Sequence, residues 1–277
     1  MKIAAFGREL SLDSPKIMGI LNVTPDSFSD GGRYNTTDKA LDHAAVMVEE
    51  GASIIDIGGE STRPGAAEVS LDEELSRVVP VVETISCRLD VMISVDTSQP
   101  EVMKSAVEAG AHIINDIRAL SVDGALSTVA DLNCPVILMH MQGKPRTMQI
   151  APHYTDVVAE VRKFLLNRAE ACLTAGIRKE NLILDPGFGF GKSVEDNYRL
   201  LAHLEELVDT GYPVLSALSR KSMIGAACGI SQADLRVTGS VAGALISVMK
   251  GACLVRVHDV AQTREALDVY RATRNSF

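Results

Sequence analysis

Ser53-Ile-Ile-Asp-Ile57, followed by Gly58-Gly59, is one of eight short apolar runs that each end at a polar residue or a glycine. The other seven runs cover residues 16–21, 91–95, 112–114, 136–139, 182–184, 213–218 and 253–257. Helix-like stretches separate most of the runs, and strands that alternate with helices build a parallel sheet. Eight such units predict an α/β protein with a single domain over residues 1–277. That domain is a closed (β/α)8 TIM barrel with its active site at the C-terminal ends of the strands.

The junctions between helices and strands support the same fold. A glycine follows a helix-like stretch and precedes an apolar run at residues 51, 110, 176, 211 and 251. Glycine at this point predicts the left-handed residue that ends a helix. Two helix starts are also predicted. Ser70 and Glu73 form a capping box, and Ser98 caps a helix whose first turn contains Pro100.

The composition excludes several classes of protein. No apolar run approaches the roughly 18 residues of a membrane span, and the N-terminal segment lacks the apolar region of a signal peptide. We therefore expect a cytoplasmic protein without a membrane partner. The net charge of −9 disfavours nucleic acid as a partner. Five scattered cysteines without a Cys-x-x-Cys pair predict neither a disulfide framework nor a zinc site.

Three polar residues at strand ends are candidates for ligand binding. Asp96, Asn115 and Asp185 end the third, fourth and sixth runs, so their side chains can converge at the barrel mouth. A carboxylate can accept two N–H bonds from an amidine-like N–C–N edge. A nitrogen heterocycle is therefore a sensible ligand. The alternative is that all three residues only cap helices.

Basic residues collect near the same strand ends although the chain as a whole is acidic. They are Arg63, Arg220, Lys221, Arg256 and His258. Such a rim suggests an anionic ligand, and phosphate is the leading choice because arginine forks match its oxygens. Strand alternation puts Arg256 and His258 on the same side, as an anion clamp requires. His258 alone could equally be a structural histidine.

Three loops at the rim carry glycine or aromatic residues. The loop 22–32 is polar and contains Phe28; it is either a catalytic loop or a solvated turn. The loop 58–65 combines glycines, hydroxyls and an arginine, which suits phosphate. The loop 185–192 does not fit the dinucleotide-binding pattern. Its glycines instead predict close approach of the backbone and Phe190 to a flat ligand.

Together these segments resemble the dihydropteroate synthases, a family of enzymes in folate synthesis. The resemblance runs from about residue 18 to about residue 260, and the matching segments occur in the family's order. They are Asn22-Val-Thr-Pro-Asp-Ser-Phe-Ser-Asp-Gly-Gly32, Gly58-Gly-Glu-Ser-Thr-Arg-Pro-Gly65, Ser94-Val-Asp-Thr97, Ile114-Asn-Asp116, Met139-His-Met141, Asp185-Pro-Gly-Phe-Gly-Phe-Gly-Lys192, Ser219-Arg-Lys-Ser222 and Arg256-Val-His-Asp259.

The resemblance implies a reaction and a set of site residues. The family joins 6-hydroxymethyl-7,8-dihydropterin diphosphate to 4-aminobenzoate and releases diphosphate. The pterin is expected at Asp96, Asn115, Asp185 and Lys221. The diphosphate is expected at Thr62, Arg63, Arg256 and His258, with a Mg²⁺ ion on Asn22. The aminobenzoate pocket is expected to contain Phe28, Pro64, Phe190, Ser219 and Ser222. This pocket forms as the first two loops close, and the first loop carries Asp26 and Asp30.

The resemblance also implies a homodimer, and it leaves alternatives open. With no obvious catalytic triad, we expect diphosphate to leave before the amine attacks. The family often has glycine where this chain has Ala217, and a methyl group there could crowd a substrate. A silent pterin-binding paralogue is one alternative function. A methyltetrahydrofolate-dependent methyltransferase barrel is another, and an aldolase with a Schiff base on Lys221 is a third.

Overall fold

The computed structural model describes residues 1–24, 33–60, 69–143, 147–148 and 152–274. Within these residues, eight strands alternate with helices along the chain. The strands are β3 (Lys16–Asn22), β4 (Ile54–Gly58), β5 (Met92–Asp96), β6 (Ile113–Asp116), β7 (Val136–Met139), β8 (Leu182–Asp185), β9 (Leu215–Ser216) and β10 (Leu254–Val257). Two further strands, β1 (Lys2–Ala5) and β2 (Arg8–Ser11), precede them.

The helices lie outside the sheet. They are α1 (Arg33–Glu49), α2 (Leu71–Arg88), α3 (Pro100–Glu108), α4 (Ala125–Leu132), α5 (Val157–Thr174), α6 (Val194–Ala202), α7 (Glu205–Val208), α8 (Ser222–Cys228), α9 (Val237–Met249) and α10 (Val260–Arg274). Two apolar clusters fill the space between the strands and these helices. No helix in the described part of the chain has the length and apolar character that a membrane span requires.

The eight strands form the predicted parallel barrel. Their order is β8-β7-β6-β5-β4-β3-β10-β9, and every paired neighbour is parallel. A bridge between Leu184 and Val214 joins the two ends of this order. The fold expected from the eight apolar runs is therefore confirmed.

A β-hairpin that the sequence did not predict covers the N-terminal end of the barrel. Strands β1 and β2 pair antiparallel, and Ile3 and Leu12 are 1% and 6% exposed. Both side chains pack in one cluster with a single residue from each barrel strand. Those eight residues are Met18, Ile54, Met92, Ile113, Ile137, Ile183, Leu215 and Leu254. Together they form an apolar floor that closes the bottom of the barrel.

A polar layer lies directly above this floor. Residues two positions further along a strand face the same way. On the alternate strands β4, β6, β8 and β10 these residues are Asp56, Asn115, Asp185 and Arg256. Alternate strands contribute the members of one layer in a TIM barrel. Burying four such groups is costly unless they are paired, so this layer marks the candidate site.

Helix boundaries agree with the sequence in part. All five junction glycines have positive φ, for example +109° at Gly51, so this prediction is confirmed. Ser70 Oγ accepts a hydrogen bond from the Glu73 amide at 3.3 Å, whereas the Glu73 carboxylate pairs with Arg77. Only half of the predicted capping box therefore forms. The predicted Ser98 cap is wrong, because Ser98 Oγ donates instead to Asp116.

Candidate active site

Arg256 lies at the centre of a buried charge network. Its Nε donates to Asp56 Oδ2 at 2.6 Å, and its Nη2 donates to Asp96 Oδ2 at 3.0 Å. Asn115 Nδ2 donates to the same Asp56 oxygen at 3.1 Å. The Asp56 side chain is 0% exposed, and its Oδ1 atom has no hydrogen-bond partner among the described residues. Two carboxylates thus share one guanidinium.

The electrostatics of this network follow from burial. Burial raises the pKa of Asp96 to about 7, although Arg256 acts in the opposite direction. Burial acts to lower the pKa of Arg256, but the carboxylates of Asp56 and Asp96 hold it above its ordinary value. Arg256 therefore remains a cation at any physiological pH. Asp96 carries a proton for part of the time near neutral pH.

A second group of site residues lies around the end of β8. Asp185 is 2% exposed, and its Oδ1 accepts a hydrogen bond from the Gly187 amide at 2.7 Å. Lys221 Nζ donates to the Phe188 carbonyl at 2.5 Å and lies 4.6 Å from the centre of the Phe190 ring. The loop after β8 therefore connects the carboxylate of Asp185, the amine of Lys221 and the ring of Phe190.

Burial shifts the pKa of both charged groups in this second group. It raises the pKa of Asp185, with Lys221 as the main opposing influence. It lowers the pKa of Lys221 to about 8, and Asp185 opposes this shift. Lys221 is thus still mainly protonated at neutral pH.

Ser219 and His258 lie together at the rim. Ser219 Oγ is 3.0 Å from His258 Nδ1, and the His258 amide donates to the same oxygen at 3.2 Å. Ser222 is the first residue of α8 and is exposed. Arg220 does not join the basic rim that the sequence suggested. It forms two hydrogen bonds to Asp259, at 3.1 Å and 2.5 Å.

Several predicted site residues cannot be placed from the structure. Asp26, Phe28, Asp30, Thr62, Arg63 and Pro64 lie outside the described residues. Conversely, the sequence reasoning missed Asp56, which contacts both Arg256 and Asn115. The signal that could have found it is a lone acid inside the apolar run Ser53-Ile-Ile-Asp-Ile57, facing the barrel interior.

Asn22 is the residue expected to hold Mg²⁺. It ends β3 beside Gly58 and is partly exposed at the barrel mouth. In the described ranges, no group of three or more His, Cys, Asp or Glu side chains could hold a metal ion. Mg²⁺ often takes only one or two protein oxygens and completes its shell with substrate phosphate and water. Asn22 therefore fits a metal that arrives with an anionic substrate.

Comparison with known proteins identifies the family of this barrel. A protein family described as "Pterin binding enzyme" matches residues 18–258. The chain is 58% identical to the dihydropteroate synthase of Haemophilus influenzae over 276 residues, which cover 100% of each chain. The chain belongs to the dihydropteroate synthase family. The resemblance inferred from the eight segments is thereby confirmed, and as a member of this family the chain is a transferase.

Solved structures of dihydropteroate synthases agree with this assignment. The Xanthomonas albilineans enzyme with 4-aminobenzoic acid has a TM-score of 0.94 and 54% identity, covering 99% of this chain and 98% of that one. The same enzyme in complex with 7,8-dihydropteroate has a TM-score of 0.91 and 51% identity, covering 99% of each. The family assignment favours dihydropteroate synthesis over the methyltransferase and aldolase alternatives.

Proposed function

We propose that this chain joins 6-hydroxymethyl-7,8-dihydropterin diphosphate to 4-aminobenzoate, forming 7,8-dihydropteroate and releasing diphosphate. The observation that carries the proposal is the buried polar layer of Asp56, Asn115, Asp185 and Arg256 above an apolar floor. A flat heterocycle with several N–H and carbonyl groups can satisfy such a layer. The dihydropteroate synthase of X. albilineans has been solved with 7,8-dihydropteroate, the product of this reaction.

The pterin is assigned to the buried end of the site. The Asp185 carboxylate is assigned to the amidine-like edge of the pterin. Its Oδ1 already accepts from the Gly187 amide, but each carboxylate oxygen has a second lone pair, so both oxygens can still accept an N–H bond. Lys221 contacts the Phe188 carbonyl of the same loop, and its remaining N–H donors can reach a pterin carbonyl or ring nitrogen. Asp96 and Asn115 complete the pocket from the neighbouring strands β5 and β6.

The diphosphate is assigned to the rim above the pterin. Arg256 uses Nε and Nη2 for the two carboxylates, and a guanidinium has five N–H donors. It therefore retains donors for an anion. His258, Thr62 and Arg63 are the other proposed contacts. A Mg²⁺ ion held by Asn22 would supply positive charge to the departing diphosphate.

The proposed chemistry is dissociative. The C–O bond between the pterin methylene and diphosphate breaks first, and its electron pair leaves with the diphosphate. Carboxylates around the pterin stabilise the resulting cation. The amine of 4-aminobenzoate then attacks the methylene carbon and loses one proton. Phe190, Ser219 and Ser222, together with Phe28 and Pro64, are proposed to hold the aminobenzoate.

Turnover tests the reaction, and isotope exchange tests its order. Diphosphate release should require 4-aminobenzoate and Mg²⁺ and should yield dihydropteroate. Pterin binding without any turnover would favour the silent paralogue. Without productive aminobenzoate, reversible dissociation should move labelled oxygen between the bridge and non-bridge positions of the α-phosphate. No scrambling would weaken the case for the dissociative route.

Pterin binding should release a proton near neutral pH. Burial holds the pKa of Asp96 at about 7, and the N–H groups of a pterin require the carboxylate form. Binding therefore lowers this pKa. At pH 7, where the free carboxyl is half protonated, we expect about half a proton to be released. Calorimetry with 6-hydroxymethylpterin in buffers of different ionisation enthalpy measures this number. The prediction fails if Asp96→Asn releases as much as the wild type.

We also propose that the chain forms a homodimer through α9. Ile246 and Met249 on this helix are 43% and 63% exposed, and apolar side chains are enriched at interface cores. Met249→Asp should shift the protein from dimer to monomer in size-exclusion chromatography with light scattering. Val46→Asp is the matched control because Val46 is 48% exposed on α1, outside the proposed interface helix. A dimeric Met249→Asp protein would contradict the proposed interface.

A further inference from the structure

Lys192 is a buried cation to which the reaction proposed above gives no role. It follows the glycine-rich loop and is only 2% exposed. Its Nζ lies 2.8 Å from the Gly187 carbonyl, 3.1 Å from the Phe190 carbonyl and 2.9 Å from His140 Nδ1. An ammonium has three donors, so these contacts can use all of them. Such full pairing is what makes a buried charge tolerable.

The contact between Lys192 and His140 depends on the protonation state of both groups. Burial lowers the pKa of Lys192 to about 7, so near neutral pH its amine is protonated for about half of the time. In that ammonium form Lys192 only donates, and Nδ1 of His140 accepts while the imidazole proton lies on Nε2. Burial and the neighbouring Lys192 lower the pKa of His140 to about 3. The ring is therefore neutral under physiological conditions. Lys192 thus links His140, the residue after β7, to the loop after β8 through hydrogen bonds to both.

The loop held by Lys192 lies directly on the backbone after β7. A Cβ atom at Gly187 would lie 1.9 Å from the His140 carbonyl oxygen, and one at Gly191 would lie 2.3 Å from the Gln142 carbonyl oxygen. Only glycine permits this approach. The His140 amide joins the two backbones directly through the Asp185 carbonyl at 3.0 Å. Lys192 adds a side-chain link between the same two segments.

The same loop holds the residues assigned to both substrates. The Gly187 amide binds Asp185, and the Phe188 carbonyl binds Lys221. The Phe190 ring lies beneath the Lys221 ammonium. A movement of the loop would therefore move the side chains of Asp185, Lys221 and Phe190 together.

We propose that Lys192 is a positioning residue for both substrates: it binds the carbonyls of Gly187 and Phe190 and the ring of His140, and so fixes the loop that orients Asp185, Lys221 and Phe190. The identity of these substrates rests on the function proposed above. Lys192 itself touches neither substrate in this account.

Lys192→Met tests the proposal because it keeps most of the stem and removes all three donors. We expect the KM for 4-aminobenzoate to rise about tenfold, since unpaired buried carbonyls favour a shifted loop. Hydrogen exchange of amides 187–191 should become faster. Turnover is measured where both proteins are folded, as judged by their melting curves. Lys163→Met, at an exposed lysine of α5, should leave both readouts unchanged.

A second pair of variants covers the case in which Lys192→Met does not fold. His140→Asn keeps an acceptor near the position of Nδ1, whereas His140→Leu removes it. The proposal expects His140→Leu to raise the KM and to speed hydrogen exchange. His140→Asn should keep both close to their wild-type values. A lower melting temperature with unchanged KM and exchange would show a purely structural role and overturn the proposal. If the wild type forms no dihydropteroate, the proposed function fails, and the exchange data alone then decide whether Lys192 holds the loop.

Discussion

Asp185→Asn should reduce kcat/KM for the pterin substrate by about a thousandfold, the magnitude of losing one preorganised electrostatic contact in a transition state. The asparagine can still accept the hydrogen bond from the Gly187 amide that Asp185 accepts at 2.7 Å. The loop should therefore keep its conformation. The second oxygen becomes an NH₂ group, which donates where the pterin also donates.

The loss should appear in both binding and chemistry. Asp185 is 2% exposed, so water cannot replace its charge, and the pterin cation loses its nearest stabilising carboxylate. Steady-state turnover and pterin calorimetry measure the two effects separately. Asp131→Asn is the matched control, since Asp131 is exposed on α4. If Asp185→Asn keeps wild-type turnover, the assignment of the pterin to this pocket is wrong.

Arg256→Met should destabilise the fold by about 3–5 kcal/mol, because it leaves buried carboxylates without their partner. Asp56 is 0% exposed and Asp96 is only partly exposed, and both bind the guanidinium directly. Urea unfolding measures the loss. Arg264→Met is the control: its pair with Asp268 is about half exposed, and such pairs contribute about 0–1 kcal/mol.

The same variant should become more sensitive to pH in a defined direction. The pKa of Asp96 in the folded wild type, about 7, already exceeds its ordinary value of 3.8. The folded state therefore binds this proton more tightly, and stability falls as pH rises between these values. Without Arg256 the fall should be steeper. Adding Asp56→Asn should recover part of the stability. A flat pH profile in Arg256→Met would contradict this account.

The sequence predicted the barrel because its signals are local. Each apolar run by itself has the length of a strand, and each junction glycine has the positive φ that ends a helix. The N-terminal hairpin was missed because its strand β2, Arg8-Glu-Leu-Ser11, is not an apolar run and has no fully buried residue. The hairpin contributes to the fold through Ile3 and Leu12, which pack against the apolar floor formed by all eight barrel strands. No local pattern carries that information.

The site was predictable where a residue ends a strand and less so where it lies inside one. Asp96 and Asp185 were found because they follow apolar runs. Asp56 was missed although its partner Arg256 was found, because pairing across 200 residues is set by barrel closure. Ser98 was predicted as a helix cap, yet it binds Asp116, the last residue of β6. A hydroxyl has several possible partners, and tertiary packing selects one.

The barrel is joined least firmly between β8 and β9. Strand β9 has only two residues. In the described residues, one bridge connects it to β8, between Leu184 of β8 and Val214 just before β9. Backbone with few such hydrogen bonds opens locally at low free energy. Asp185 precedes this seam, and Ser219 and Lys221 follow it, so a bound pterin and aminobenzoate would lie across it. We therefore expect local opening of the empty barrel to occur mainly where the substrates are proposed to bind, and we expect bound substrates to hold β8 and β9 together.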